Sequence, residues 1–125
     1  MSLLLYGATG YVGEAMARAA AAAGLNPILA GRNSASLKTL GESLGLEWRA
    51  VSLDDAVALD HALSGVTVVL HCAGPFLRTS RPMVDACLRT GAHYLDIASE
   101  IADHRVVQRL DERAREAGVM LLPGV

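Results

Sequence analysis

Residues 1–24 read MSLLLYGATGYVGEAMARAAAAAG, and the seven residues from Gly7 to Gly13, GATGYVG, divide a short apolar run from a long alanine-rich one. Three glycines, Gly7, Gly10 and Gly13, stand three apart at that junction. The run before them, Leu3 to Tyr6, has strand length and the run after them helical composition, so the glycines belong to a strand-to-helix turn. Gly7 permits the positive φ of a tight turn, and Gly10 leaves the backbone bare to a bound group. Gly13, one turn into the helix, lets helix and strand pack closely. With Ala8, Thr9, Tyr11 and Val12 they form a loop whose free N–H groups carry the positive end of a helix dipole. The pyrophosphate of a dinucleotide is the natural anion for that place. The spacing is G-x-x-G-x-x-G, one residue longer before the second glycine than G-x-G-x-x-G. A glycine-rich turn that binds nothing is the plainer alternative, and the downstream pattern weighs against it.

That pattern alternates short apolar runs with stretches of helical period, as in a parallel sheet with crossover helices. Strands are predicted at Leu3–Tyr6, Pro27–Ala30, Glu47–Val51, Val66–His71, His93–Asp96 and Val119–Leu122. LLLY, VTVVL and VMLL are nearly continuous hydrophobic runs, which suits strands covered on both faces. Five helices are predicted, the last from about Asp103 to Ala117, closed in turn by Gly24, Gly45, Gly65, Gly91 and Gly118. The expected fold is α/β: a doubly wound, parallel, six-stranded sheet in the order 3-2-1-4-5-6 with helices on both faces. At 125 residues the chain has room for one domain, spanning 1–125. It stops at LLPGV directly after the sixth strand, and the expectation is the amino-terminal part of a longer protein.

Eleven basic residues stand against thirteen acidic ones, which gives a net charge of -2 and no general attraction to nucleic acid or to an anionic membrane. The first apolar run is too short for a signal core or a membrane span. Cys72 and Cys87 lack the spacing of a zinc site or redox pair, so two free thiols in a reducing cytoplasm are expected, with a disulfide between them left open. His61, His71, His93 and His104 show no ligand spacing and are expected at the surface or in packing.

The end of the second strand bears on which dinucleotide binds. An NAD site of this kind carries an acid about 20 residues after the glycines. Here the segment is LAGRNSAS, and no Asp or Glu occurs between Glu14 and Glu42. Arg32 stands in the place of the acid with Asn33 and Ser34 beside it, a set suited to the 2′-phosphate of NADP, so NADP is expected in preference to NAD. Ser34 is also a candidate helix cap. Asp54 after the third strand either meets the adenine end or caps the next helix. In HCAGPF, the small residues Cys72, Ala73, Gly74 and Pro75 are expected to border the crevice at ribose and nicotinamide, with Gly74-Pro75 making a tight turn. In HYLDIASE, Tyr94, Asp96, Ser99 and Glu100 stand where a substrate would approach. An acid there equally well orders a loop, and no catalytic residue is assigned. The tyrosine-lysine pair of short-chain dehydrogenases is missing: Lys38 is the one lysine, and Tyr6, Tyr11 and Tyr94 are followed four residues on by Gly10, Ala15 and Ala98.

Together GATGYVG, LAGRN, HCAGPF, RPMVDACLRTGAHYLDIASE and AREAGVMLLPGV resemble, in order and across the whole chain, the amino-terminal domain of saccharopine dehydrogenase-like oxidoreductases. The resemblance is strongest to the bacterial branch that includes trans-acting enoyl reductases. It implies a Rossmann domain that binds NADP or NAD, followed by a second α/β domain that completes the substrate site and often mediates a homodimer. Two functions are weighed. In one, the domain holds NADP for hydride transfer to a small enoyl or imine-like substrate; in the other, it is a non-catalytic dinucleotide sensor.

Overall fold

The structure, a computed structural model, describes residues 2–125. Its strands are β1 (Leu3–Tyr6), β2 (Ile28–Gly31), β3 (Trp48–Ala50), β4 (Val68–His71), β5 (His93–Asp96) and β6 (Leu121–Leu122). Its helices are α1 (Tyr11–Ala22), α2 (Ser34–Leu44), α3 (Ala56–Ala62), α4 (Phe76–Thr90), α5 (Ile101–Gln108) and α6 (Asp111–Ala117). Every strand pair is parallel, and the order is β3-β2-β1-β4-β5-β6. The order reverses between β1 and β4, where a crevice opens at the strands' carboxyl ends.

The two-residue alternation of the strands sorts their side chains onto two buried faces. Leu4 and Tyr6 of β1 join Val69 and Tyr94 beneath Leu59 of α3, Met83 of α4 and Val107 of α5. Leu5, between them, faces the other way with Leu29, against Ala17 of α1 and Leu37 and Leu40 of α2. Helices therefore cover both faces, as the continuous apolar runs require. Each fully buried leucine, Leu4, Leu29 and Leu37 among them, contributes about 2 kcal/mol through removal from water.

The last predicted helix is in fact two. The chain breaks at Arg109 and Leu110, where Leu110 takes φ -99 and ψ 10, outside helical geometry. No proline or glycine marks the break. Val107, Leu110 and Ala114 still reach the core on either side of it, while Ala117 is exposed. β4 begins at Val68 and β6 at Leu121, so Val66 and Val119 are buried lead-in residues rather than ladder members. The five glycines expected to end helices all adopt positive φ, from 68 to 79. Both cysteines are free. Among the described residues no helix is long and apolar enough to cross a membrane.

Candidate functional site

A cleft of about 440 Å³ lies across the carboxyl ends of β1, β2 and β4. Its walls are three turns: Tyr6, Gly7 and Thr9 to Val12 from the first; Gly31, Arg32 and Asn33 from the second; Cys72, Ala73 and Gly74 from the third. Ten of the residues expected at the site are thus brought together. Ala8 and Gly13 are buried beneath the loop, and Ser34, Asp54 and Pro75 lie outside the cleft lining. Tyr6 and Gly31 line it without having been expected; both close a strand at its carboxyl end, and that position is the signal that points to them.

The three glycines serve different ends. Gly7 has φ +84, and a Cβ there would come within 2.8 Å of the Ala73 nitrogen, so conformation and packing both exclude a side chain. A Cβ on Gly13 would overlap the Gly7 carbonyl. Gly10 is unlike either. Its backbone is extended, with φ -74 and ψ 169, and its Cβ would meet nothing closer than the Gly7 oxygen at 3.4 Å, an ordinary contact. Neither a positive φ nor internal packing requires glycine at position 10. Gly10 begins α1, and no side chain caps that helix. The N–H groups of Tyr11, Val12 and Gly13 thus have no intrahelical acceptor at the helix's positive end.

At the second turn Arg32 is exposed and makes no hydrogen bond or ion pair among the described residues. Asn33 caps α2, its side-chain oxygen accepting from the Ser36 N–H at 3.0 Å. The cap is therefore Asn33, and Ser34 is the first helical residue. A similar shift by one residue occurs after β3. Asp55 caps α3 by accepting from the Ala58 N–H at 3.0 Å, and Asp54 stays exposed. Asp54 and Arg32 both act on the Tyr6 hydroxyl, which donates to the Val51 carbonyl at 2.8 Å. Burial raises the Tyr6 pKa, Arg32 opposes the shift and Asp54 adds to it.

The third turn follows His71. The Gly74-Pro75 peptide is cis. His71 is fully buried, and loss of water lowers its pKa to about 4 against a weaker opposing pull from Asp96. Its Nε2 lies 2.9 Å from Thr79 Oγ1, and that hydroxyl donates to the Ala73 carbonyl at 2.6 Å. With its single proton spent there, the hydroxyl accepts from His71, which fixes the proton on Nε2. His71 Nδ1 is left buried without a partner. Cys72 donates to the Met16 sulfur at 3.6 Å, and burial, with a lesser contribution from Asp96, raises its pKa to about 11. Both effects disfavour the thiolate, the nucleophilic form.

Beyond β4, the HYLDIASE segment is held from within. Asp96 is fully buried. One carboxylate oxygen accepts from the Tyr94 hydroxyl at 2.6 Å; the other accepts from the N–H groups of Ala98 at 3.0 Å and Gly124 at 2.8 Å. The Val125 N–H donates to the Asp96 carbonyl at 2.8 Å. Burial, then the bond to Asp96, raises the Tyr94 pKa far above its ordinary value. Asp96 thus orders the loops beside it, while Ser99 and Glu100 are exposed. Among the described residues no cluster of His, Cys, Asp or Glu is placed to hold a metal ion.

Residues 3–122 match the family model described as the saccharopine dehydrogenase NADP binding domain. The chain is 33% identical over 106 residues to a trans-acting enoyl reductase of Mycobacterium tuberculosis, covering 79% of this chain and 25% of that protein. It is 26% identical to a human saccharopine dehydrogenase-like oxidoreductase, covering 96% of this chain and 33% of that one. Among solved structures it resembles apo saccharopine dehydrogenase (L-Glu forming) from Saccharomyces cerevisiae, with a TM-score of 0.83 at 22% identity over 99% of this chain and 27% of that one. The chain spans about a quarter of the length of the enoyl reductases it matches.

Proposed function

The chain belongs to the saccharopine dehydrogenase NADP-binding domain family, and from that premise we propose that its cleft holds NADP(H) for hydride transfer to a small unsaturated or imine-like substrate. The observation that carries this reading is Gly10, a glycine that neither backbone conformation nor internal packing requires, at the uncapped start of α1. The bare backbone admits the pyrophosphate, and the N–H groups of Tyr11 and Val12 donate to it. Arg32, without an internal partner among the described residues, pairs with the 2′-phosphate. Asn33 contributes through its backbone, since its side chain is engaged as a cap. Ser34 adds a hydroxyl and Asp54 a carboxylate near the adenosine end. The small residues Cys72, Ala73 and Gly74, with Pro75 behind them, leave room for ribose and nicotinamide.

When bound, NADPH supplies a hydride at its nicotinamide ring. The residues of this chain bind and orient it; a further domain, as the greater length of the enoyl reductases suggests, covers the ring and presents substrate. Calorimetric titration tests the reading. NADPH is expected to bind with one site per chain and more tightly than NADH, while NADPH consumption with enoyl, imine or keto substrates stays at background for residues 1–125. Failure of both dinucleotides to bind would overturn the reading; substrate-dependent turnover would overturn the division of labour.

A further inference from the structure

We propose that Thr79 and His71 are positioning residues for the nicotinamide half of the dinucleotide, acting through the loop from Ala73 to Pro75; the proposal rests on the NADP-holding reading above. The loop has little else to hold it. Cys72 N–H donates to the Tyr6 carbonyl at 2.9 Å, but among the described residues the Ala73 and Gly74 N–H groups have no backbone acceptor. Backbone bonding resumes only at the Pro75 carbonyl, which accepts from the Arg78 and Thr79 N–H groups. Between those points one side chain fixes the loop. Thr79 Oγ1 donates to the Ala73 carbonyl at 2.6 Å and lies 3.2 Å from the Pro75 carbonyl, so it grips the loop on both sides of Gly74.

His71 determines which way that hydroxyl points. By donating Nε2–H to Thr79 Oγ1 at 2.9 Å, the imidazole occupies the oxygen as an acceptor and directs its proton to the loop carbonyl. This costs a buried Nδ1 with no partner. A residue placed at position 71 for packing alone, among the Tyr6, Phe76 and Tyr94 rings, would be better apolar. The gripped residue is also part of the wall against which Gly7 packs, since a Gly7 Cβ would strike the nitrogen and Cβ of Ala73, one peptide before the gripped carbonyl. Thr79 is thereby coupled to the cleft without lining it.

The test compares two ligands by titration calorimetry: NADPH, and 2′,5′-ADP, which lacks the nicotinamide half. Thr79→Val keeps the shape and removes the hydroxyl; it is expected to weaken NADPH about tenfold or more and leave 2′,5′-ADP within about twofold. Thr79→Ser restores NADPH binding. Thr79→Ala, in which the smaller side chain lets water reach the freed carbonyl, gives the same split of affinities and stands in where the valine protein does not fold. Undiminished NADPH binding in these hydroxyl-free variants, or equal loss of both ligands, overturns the proposal. If the unmodified protein binds neither ligand, the NADP-holding reading falls and the proposal with it; if it binds both, only the role of Thr79 and His71 is under test.

Discussion

The Cα of Gly13 lies directly against the carbonyl of Gly7, so closely that no Cβ fits between them. This contact fixes how deeply α1 enters the turn after β1. The obstacle is backbone rather than a movable side chain, so Gly13→Ala must push the helix outward. We expect a loss of about 2–4 kcal/mol, read as a lower denaturation midpoint in urea with an unchanged m-value. A protein as stable as the unmodified one would contradict the packing.

Gly10 gives the opposite outcome. Gly10→Val puts a branched side chain on an extended backbone whose one near neighbour is the Gly7 oxygen, at 3.4 Å from the Cβ, so stability should change by no more than about 1 kcal/mol. On the proposed reading the side chain stands in the way of the pyrophosphate, and NADPH affinity should fall about tenfold or more. Calorimetric titration alongside a melting curve separates the two effects.

Arg32 governs cofactor choice in the proposed site. Its guanidinium is exposed and unpaired among the described residues, so its removal breaks nothing else. Charge-assisted hydrogen bonds to a phosphate correspond to about ten- to hundredfold in affinity, and Arg32→Asp should erase most of that preference for NADPH over NADH. The measurement is the ratio of the two dissociation constants in each protein. A ratio near one before substitution would dismiss Arg32.

His71 makes stability depend on pH. Its folded pKa of about 4 lies below the ordinary 6.5, so between those values the unfolded chain binds the proton more readily. The stabilisation is full above about pH 6.5 and is lost as pH falls toward 4, amounting to about 3 kcal/mol. His71→Gln, which keeps an amide donor for Thr79, should flatten this part of the profile. Chemical denaturation at pH 7, 5.5 and 4.5 gives the comparison; identical slopes in the two proteins would show that His71 is not buried in the neutral form.

What could be read in the sequence was what local pattern encodes. The LLLY run with its glycines, the rhythm of helix and glycine, and the absence of an acid near Arg32 gave strands, topology and family. Capping residues were missed by one position. In RNS and LDD neighbouring side chains are chemically equivalent as caps until the backbone turns, and the extended φ and ψ of Asn33 and Asp55 make the choice. The break between α5 and α6 was hidden because a turn at Leu110 keeps the apolar residues in phase with the core. His71 and Thr79 belong to a strand and a helix eight residues apart; no periodicity connects them, and their hydrogen bond exists only once α4 folds back over β4.

The closed hydrogen bonding around Asp96 bears on where a proton comes from. Reducing a carbon-carbon or carbon-nitrogen double bond consumes a proton as well as a hydride. The Asp96 carboxylate is engaged by Tyr94, Ala98 and Gly124, and Tyr94 holds its own proton far more firmly than a free phenol does. Burial also makes Cys72 hold its proton more firmly than a free thiol, and His71 is neutral with its one N–H committed to Thr79. On the proposed reading, then, none of these four groups supplies the proton, and hydride and proton reach the substrate by separate routes.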